Sequence, residues 1–335
     1  MVAQLDKNVI AMRPASVWRR LVSYALFEGR PLTTRGRWVN PLVFAQFRLA
    51  EHLPQISRVS RPIYILGTGR SGTTILGKLF HMHRLCGFLN EPKAMWHAIF
   101  PREDLIGSYS RGTAFYRLDE SAVTEAVRRK AHRLFGYYQF MTGAGRVVDK
   151  YPELIFRIPF VRAVFPDAKF VFLIRNGLDT LRSIASWSGR HGDRSGNENY
   201  DWWGVNKRKW KLLVEQVAAI DECLSPVMDR IAEFDRQEDM AAVEWILTMR
   251  EGRRWMDLLP RSVYPVRYED LLKNPGETLA ALLDFCELPA DETMFDYAGK
   301  VLSPRPEKSA VVLHPALDHC FNQTMRDMGY GGAQP

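Results

Sequence analysis

Residues 63–76 read IYILGTGRSGTTIL, and the interpretation of this stretch decides the fold. Ile63–Gly67 is a short continuous apolar run, as expected of a strand buried on both faces. Ser71 through about Met82 has the apolar spacing of a helix. Between them, Gly67 and Gly72 stand at the spacing of a phosphate-binding loop. Strand, Gly-rich turn and helix, in that order, is the context that gives such a match meaning. The glycines let backbone N–H groups converge on an anion at a helix N-terminus, where unpaired amides and the helix dipole favour negative charge. A turn with no ligand is the plainer alternative. One position sets this loop apart: Thr73 occupies the place where a nucleotide hydrolase puts its lysine, and Arg70 sits inside the turn.

Working outward, Arg146–Asp149 (RVVD), Lys169–Ile174 (KFVFLI) and Val263–Val266 read as further short strands. Pro152–Phe165, Leu178–Trp187 and Glu277–Cys286 have helical spacing. Short apolar strands alternating with helices imply an α/β fold of three α/β/α layers around a central, mainly parallel sheet. Residues 190–260 are rich in charge and tryptophan, mostly helical in pattern, and contain no convincing strand. The expected organisation is one domain: an N-terminal helical wrap (1–60), a nucleotide-binding core (61–189), a helical acceptor or lid region (190–260), and a C-terminal strand, helix and tail (261–335).

The 335 residues are 46% hydrophobic and 25% charged, which fits a globular protein with a substantial core. A net charge of +8 suits an anionic partner: nucleic acid, an acidic membrane surface or a multiply charged small molecule. Basic repeats interleaved with aromatics and reading-helix motifs are missing, so nucleic acid is not expected. Cys86, Cys223, Cys286 and Cys320 are widely spaced, which argues against a zinc site and a disulfide framework and for a reduced cytoplasm. No apolar stretch approaches the roughly 20 residues needed to span a bilayer. Residues 16–29, with Ser16 as N-cap and Gly29 past the end, form an amphipathic segment. Trp18, Arg19 and Arg20 could touch lipid from it, although packing on the body is the expected outcome.

The second core strand tests the loop independently. KFVFLI ends in Arg175, where a nucleotide hydrolase would show an acidic metal ligand, so the sheet edge offers a second anion pocket instead. Ser183, two helical turns on, can face the same edge, and Asp179 between them caps the helix or orients Arg175.

GTGRSGTTIL followed by FLIRNGLDTLRS resembles the paired nucleotide motifs of sulfotransferases that use 3′-phosphoadenosine 5′-phosphosulfate (PAPS) and release 3′-phosphoadenosine 5′-phosphate (PAP). RYEDLLKNPGETLAALLDFCELP (267–289) resembles that family's late strand–helix segment, so the likeness spans roughly 61–290. It implies a 5′-phosphosulfate site at Gly69, Arg70, Ser71, Gly72, Thr73 and Thr74, and a 3′-phosphate site at Arg175 and Ser183. It also resolves the missing lysine, because a sulfuryl group carries less charge than a phosphoryl group and needs no magnesium bridge. Loop amides and protein cations can then supply the electrostatic stabilisation.

Transfer needs a base for the acceptor's proton and a cation near the leaving oxygen. By resemblance, Glu91 in GFLNEP is the base and Lys150 in VVDKYPE the cation. The cytosolic phenol branch has a histidine where this chain has Pro152, which removes a histidine mechanism and favours Glu91. Asp149 is expected to pair with a nearby Arg or Lys. His97, Trp187, His191, Trp202 and Trp203 are candidates to line an acceptor pocket, and Arg305 and Lys308 to close over the 3′-phosphate. The expected activity is metal-free sulfuryl transfer to a hydroxyl, less readily an amine, of a small-molecule, saccharide or lipid acceptor. The competing readings are a small-molecule kinase with a degenerate loop and a non-catalytic nucleotide- or polyanion-binding module.

Overall fold

The computed structural model describes residues 4–32, 34, 36–195, 197–303 and 311–331. Five strands, β1 (Ile63–Gly67), β2 (Cys86–Asn90), β3 (Arg146–Lys150), β4 (Lys169–Ile174) and β8 (Val263–Arg267), form a parallel sheet in the order β2-β3-β1-β4-β8. The register pairs Ile65 with Lys150 and Gly67 with Leu173, so the carboxyl ends of the strands gather along one edge. Residues of β1 are buried throughout, which is why its sequence is continuously apolar rather than alternating. Ile63 and Ile65 join one core with Leu76, Leu79 and Phe80 from the helix Thr73–His81 and Leu279 and Leu282 from Pro275–Phe285. Tyr64 and Leu66 join the opposite core with Trp96, Phe135, Phe165 and Trp245. Each such buried side chain contributes roughly 1.5–3 kcal/mol, and the two cores make the expected three layers.

The region 190–260 departs from expectation twice. It contains a small antiparallel sheet of β5 (Asp193–Ser195), β6 (Glu198–Asp201) and β7 (Gly204–Val205). These strands are two to four residues long and mostly polar, so no hydrophobic alternation betrays them. Its longest helix, Gln237–Leu258, is a core element rather than a lid: Met240–Met249 is buried, and Gly252 lies so close to Phe172 that a Cβ would stand 2.1 Å from its ring.

The N-terminal segment also differs in detail. The helix runs over Pro14–Val22, Ser16 bonds to the Arg13 carbonyl inside it, and a π-turn covers Ser23–Phe27 before Gly29 at φ +68°. Arg19 bonds to the carbonyls of Arg84 and Gly143, and Arg20 is buried against Glu28 at 2.5 Å, so two of the three proposed lipid contacts pack on the body. Glu28 in turn accepts the Asn90 N–H at 2.6 Å, tying this wrap to the end of β2.

The cysteine expectation is corrected. Cys223 and Cys320 form a disulfide with Cα atoms 5.8 Å apart, joining the 190–260 region to the C-terminal helix Asp318–Asp327. Spacing in sequence hides it because 97 residues separate the partners. Cys86 and Cys286 are buried thiols.

Candidate active site

The sheet's carboxyl edge carries five consecutive endings: the glycine loop after β1, Glu91 after β2, Lys150 at the end of β3, Arg175 after β4 and Tyr268 after β8. The loop is held in an unusual backbone conformation, with Gly67 at φ +143°, Arg70 at +68° and Gly72 at +104°. Gly72 is required on two counts, since a Cβ there would also stand 2.4 Å from the Tyr268 ring. A non-glycine residue in the left-handed region stores strain, and such residues gather at functional sites.

Arg70, Gly72, Thr73, Thr74, Lys78, Arg175, Ser183 and Tyr268 line one groove of about 240 Å³. Arg70 Nε lies 3.4 Å from Ser183 Oγ, and Arg175 donates to the Arg70 carbonyl at 2.9 Å. The Arg175 guanidinium lies over the Tyr268 ring at 4.6 Å and 4.0 Å from Asp179. Asn176, rather than Asp179, caps the following helix Gly177–His191. The hydroxyls of Thr68 and Ser71 and the Nε of Arg175 are buried without a partner among the described residues. Buried polar groups are ordinarily satisfied, so their clustering around a glycine loop fits an oxyanion ligand. Arg305 and Lys308 lie outside the described residues.

Gly69 faces the other way, into a second cleft lined by Glu91, Lys93, Glu153, Trp187, Trp202 and Lys209, among others. Glu91 has φ +53° and its N–H donates to the Lys150 carbonyl at 2.7 Å. Its carboxylate meets Lys150 Nζ at 2.5 Å and Lys93 Nζ at 3.3 Å. Lys150 is 2% exposed, whereas Glu91 is 37% exposed and open to the cleft. Desolvation opposes ionisation of Glu91, but the Lys150 and Lys93 ammonium groups outweigh it and hold its carboxyl below the usual range. The chain of pairs continues from Lys93 to Glu153 at 3.8 Å, from Glu153 to Lys209 at 3.1 Å, and from Lys209 to Glu244 at 2.5 Å.

The aromatic candidates separate. Trp202 lines the cleft and packs so tightly over Gly69 that a Cβ there would stand 2.3 Å from the indole. Its Nε1 donates to Glu244 at 2.8 Å. Trp187 meets it edge to face at 5.3 Å, and exposed His191 stacks on Trp187 at 5.0 Å. Trp203 is buried instead, donating to Gln237 and packing on Trp210, so it does not line the cleft. His97 is also elsewhere, in a separate groove between Phe44 and Tyr109. Asp149 forms no ion pair with an Arg or Lys among the described residues; it is fully buried and accepts the Trp96 indole N–H at 2.8 Å.

Lys93, Glu153, Lys209, Glu244 and Tyr268 are absent from the sequence expectations. Lys93 and Glu153 lie two and three residues past Glu91 and Lys150, and strand-end proximity was the signal available for them. Lys209 and Glu244 arrive from separate helices with no such signal. Among the described residues, no group of three or more His, Cys, Asp or Glu is placed to hold a metal ion.

A parallel α/β sheet with a glycine-rich loop at its carboxyl edge has the architecture of nucleotide-binding α/β folds. The chain belongs to the sulfotransferase family, whose model matches residues 62–292. It is 23% identical over 260 residues to protein-tyrosine sulfotransferase 1 of Danio rerio, covering 74% of this chain and 60% of that protein. An uncharacterized protein of Aquifex aeolicus is 23% identical over 259 residues, covering 75% of this chain and 28% of that one. The chain thus spans between about a quarter and three fifths of these relatives. Among solved structures, the sulfotransferase domain from the curacin biosynthetic pathway is 20% identical, covering 71% of this chain and 77% of that one, with a TM-score of 0.45.

Proposed function

We propose that this protein transfers a sulfuryl group from PAPS to a hydroxyl, less readily an amine, of a small-molecule, saccharide or lipid acceptor. The observation that carries the reading is the placement of two different pockets on either side of Gly69: a cationic groove on one, and the Glu91–Lys150 pair on the other. The loop from Gly69 to Thr74 would hold the 5′-phosphosulfate and Arg175 with Ser183 the 3′-phosphate. The unpartnered Ser71 and Arg175 donors support those assignments. The nucleotide supplies the sulfuryl group: its S–O bond to the 5′-phosphate breaks as the acceptor oxygen bonds to sulfur, giving a sulfate ester and PAP.

Glu91 takes the acceptor's proton and Lys150 faces the charge that develops on the leaving oxygen. Their mutual pairing keeps Glu91 ionised before reaction. When Lys150 turns toward an anion, Glu91 loses its strongest acidifying neighbour and becomes a better base. No metal has a part in this scheme. Within it, 61–189 holds the nucleotide, 190–260 shapes the acceptor side, and 1–60 braces Glu91 through Glu28 and lines the cleft with Pro31 and Leu32. The Cys223–Cys320 bridge argues for a compartment that tolerates disulfides, against the reduced cytoplasm that cysteine spacing suggests.

The test is thermal unfolding with PAP in the presence of a chelator. A ligand that binds the native state alone adds about 2.7 kcal/mol at 100 times its dissociation constant. A clear rise in midpoint is expected; no shift at saturating PAP refutes the reading.

A further inference from the structure

The cleft that opens on Glu91 is narrow, with a free volume of about 90 Å³. Sites for drug-sized ligands usually have roughly 300–1,000 Å³. Its apolar wall is Pro31, Leu32, Ile106, Pro152, Trp187 and Trp202, and the two indoles meet at 76°. Its lysines are already matched by glutamates. Lys150, Glu91, Lys93, Glu153, Lys209 and Glu244 alternate in sign along one continuous ladder of contacts. Asp201, which also faces the cleft, accepts the Trp203 N–H at 2.9 Å and the Gln237 amide at 3.3 Å. An anionic acceptor would have to draw a lysine from its glutamates, and a cationic one would have to compete with a lysine or with the donors that hold Asp201, each in a desolvated setting. A neutral one need not.

Lys209 has a specific place in this ladder. It is 2% exposed, bridges Glu153 and Glu244, and lies over the Trp202 ring at 4.7 Å. Glu244 also accepts the Trp202 N–H. The indole is therefore gripped from its face and its edge while its far side rests on Gly69.

We infer that the acceptor is a neutral, slender alcohol lying along the wall that Trp187 and Trp202 form, and that Lys209 is a positioning residue that sets the width of this slot through Trp202. The inference rests on reading this cleft as the acceptor site. It deepens that reading by excluding charged and bulky acceptors and by tying selectivity to a residue outside the reacting pair.

Calorimetric titration without donor tests it, using 1-octanol as slender probe, 1-adamantanol as bulky neutral probe and choline as charged probe. The wild type should bind 1-octanol at least about tenfold more tightly than either of the others, the scale on which pocket shape discriminates. Trp202→Ala should collapse the octanol-to-adamantanol ratio. Lys209→Met, which keeps the apolar stem, should collapse it too, and the double variant should add nothing, because both changes act on one ring. Retained stabilisation by PAP shows that each variant is folded. Choline or 1-adamantanol binding as well as 1-octanol overturns the acceptor class, and Lys209→Met with the wild-type ratio overturns the positioning role. Selective octanol binding with no response to PAP would leave the slot standing and bring down the nucleotide reading alone.

Discussion

Two pockets share the glycine loop and are built on opposite electrostatic plans. The groove on the Arg175 side is lined by Arg70, Lys78 and Arg175 with no carboxylate among its lining residues. The cleft on the Glu91 side has lysines as well, but each meets a glutamate, and the ladder closes at three of each sign. Lys78 pairs with Asp6 at 3.0 Å and Arg175 lies 4.0 Å from Asp179, yet no carboxylate is among the lining residues, and such a groove gains by taking up an anion. A balanced ladder gains nothing from a charge and loses a pair if one intrudes. Under the proposed function, this difference supports the nucleotide on one side and the acceptor on the other without reference to any motif.

The largest effects should come from separating the two plans by mutation. Glu91→Gln keeps the shape of the cleft and removes the proton acceptor, so turnover should fall by about 10²–10⁴ while PAP still stabilises the protein. Unchanged turnover in a radiolabelled-sulfate assay would remove Glu91 from the chemistry. Arg175→Ala acts on the other pocket. Losing a charge-assisted contact worth about 1.5–3 kcal/mol should weaken PAP binding by about 10- to 100-fold. Equal loss for a nucleotide lacking the 3′-phosphate would show that Arg175 does not read that group.

How much of this was legible in the sequence follows the same division. The groove is written in local stretches: IYILG and KFVFLI are continuous apolar runs ended by a loop and an arginine, so strand, turn and cation sit within a few residues. The cleft is assembled from seven separated stretches, 31–32, 69, 91–93, 106, 152–153, 187 and 200–209. Glu153 and Lys209 meet only after the fold brings a strand end to a helix, and no local pattern announces such a pair. Trp202 and Trp203 are adjacent, yet the first lines the cleft and the second is buried against Trp210. Backbone direction near the β6–β7 turn decides which is which, and composition carries no trace of it. His97 lies one helical turn beyond Lys93 and opens onto a different groove.

The last effect is on stability rather than turnover or nucleotide binding, and concerns Asp149, beneath Lys150 on β3. Burial raises its pKa to about 8, only partly offset by the Trp96 hydrogen bond and the nearby Lys150 ammonium. At neutral pH it is therefore protonated, and the ladder above it keeps three acids against three lysines. In the unfolded chain the same group titrates near 3.9. Between those values the unfolded state has released a proton that the native state retains, so stability from this group is complete at low pH and declines as pH rises to about 8. Asp149→Asn preserves an acceptor for the Trp96 indole and abolishes the titration. Urea denaturation at intervals from pH 4 to 9 should show the variant gaining on the wild type by up to about 1.4 kcal/mol per pH unit, then running parallel above pH 8. Parallel curves across the whole range would mean that Asp149 is ionised in the native protein. A buried negative charge would then lie beneath the ladder, and the electrostatic plan of the Glu91 side would have to be redrawn.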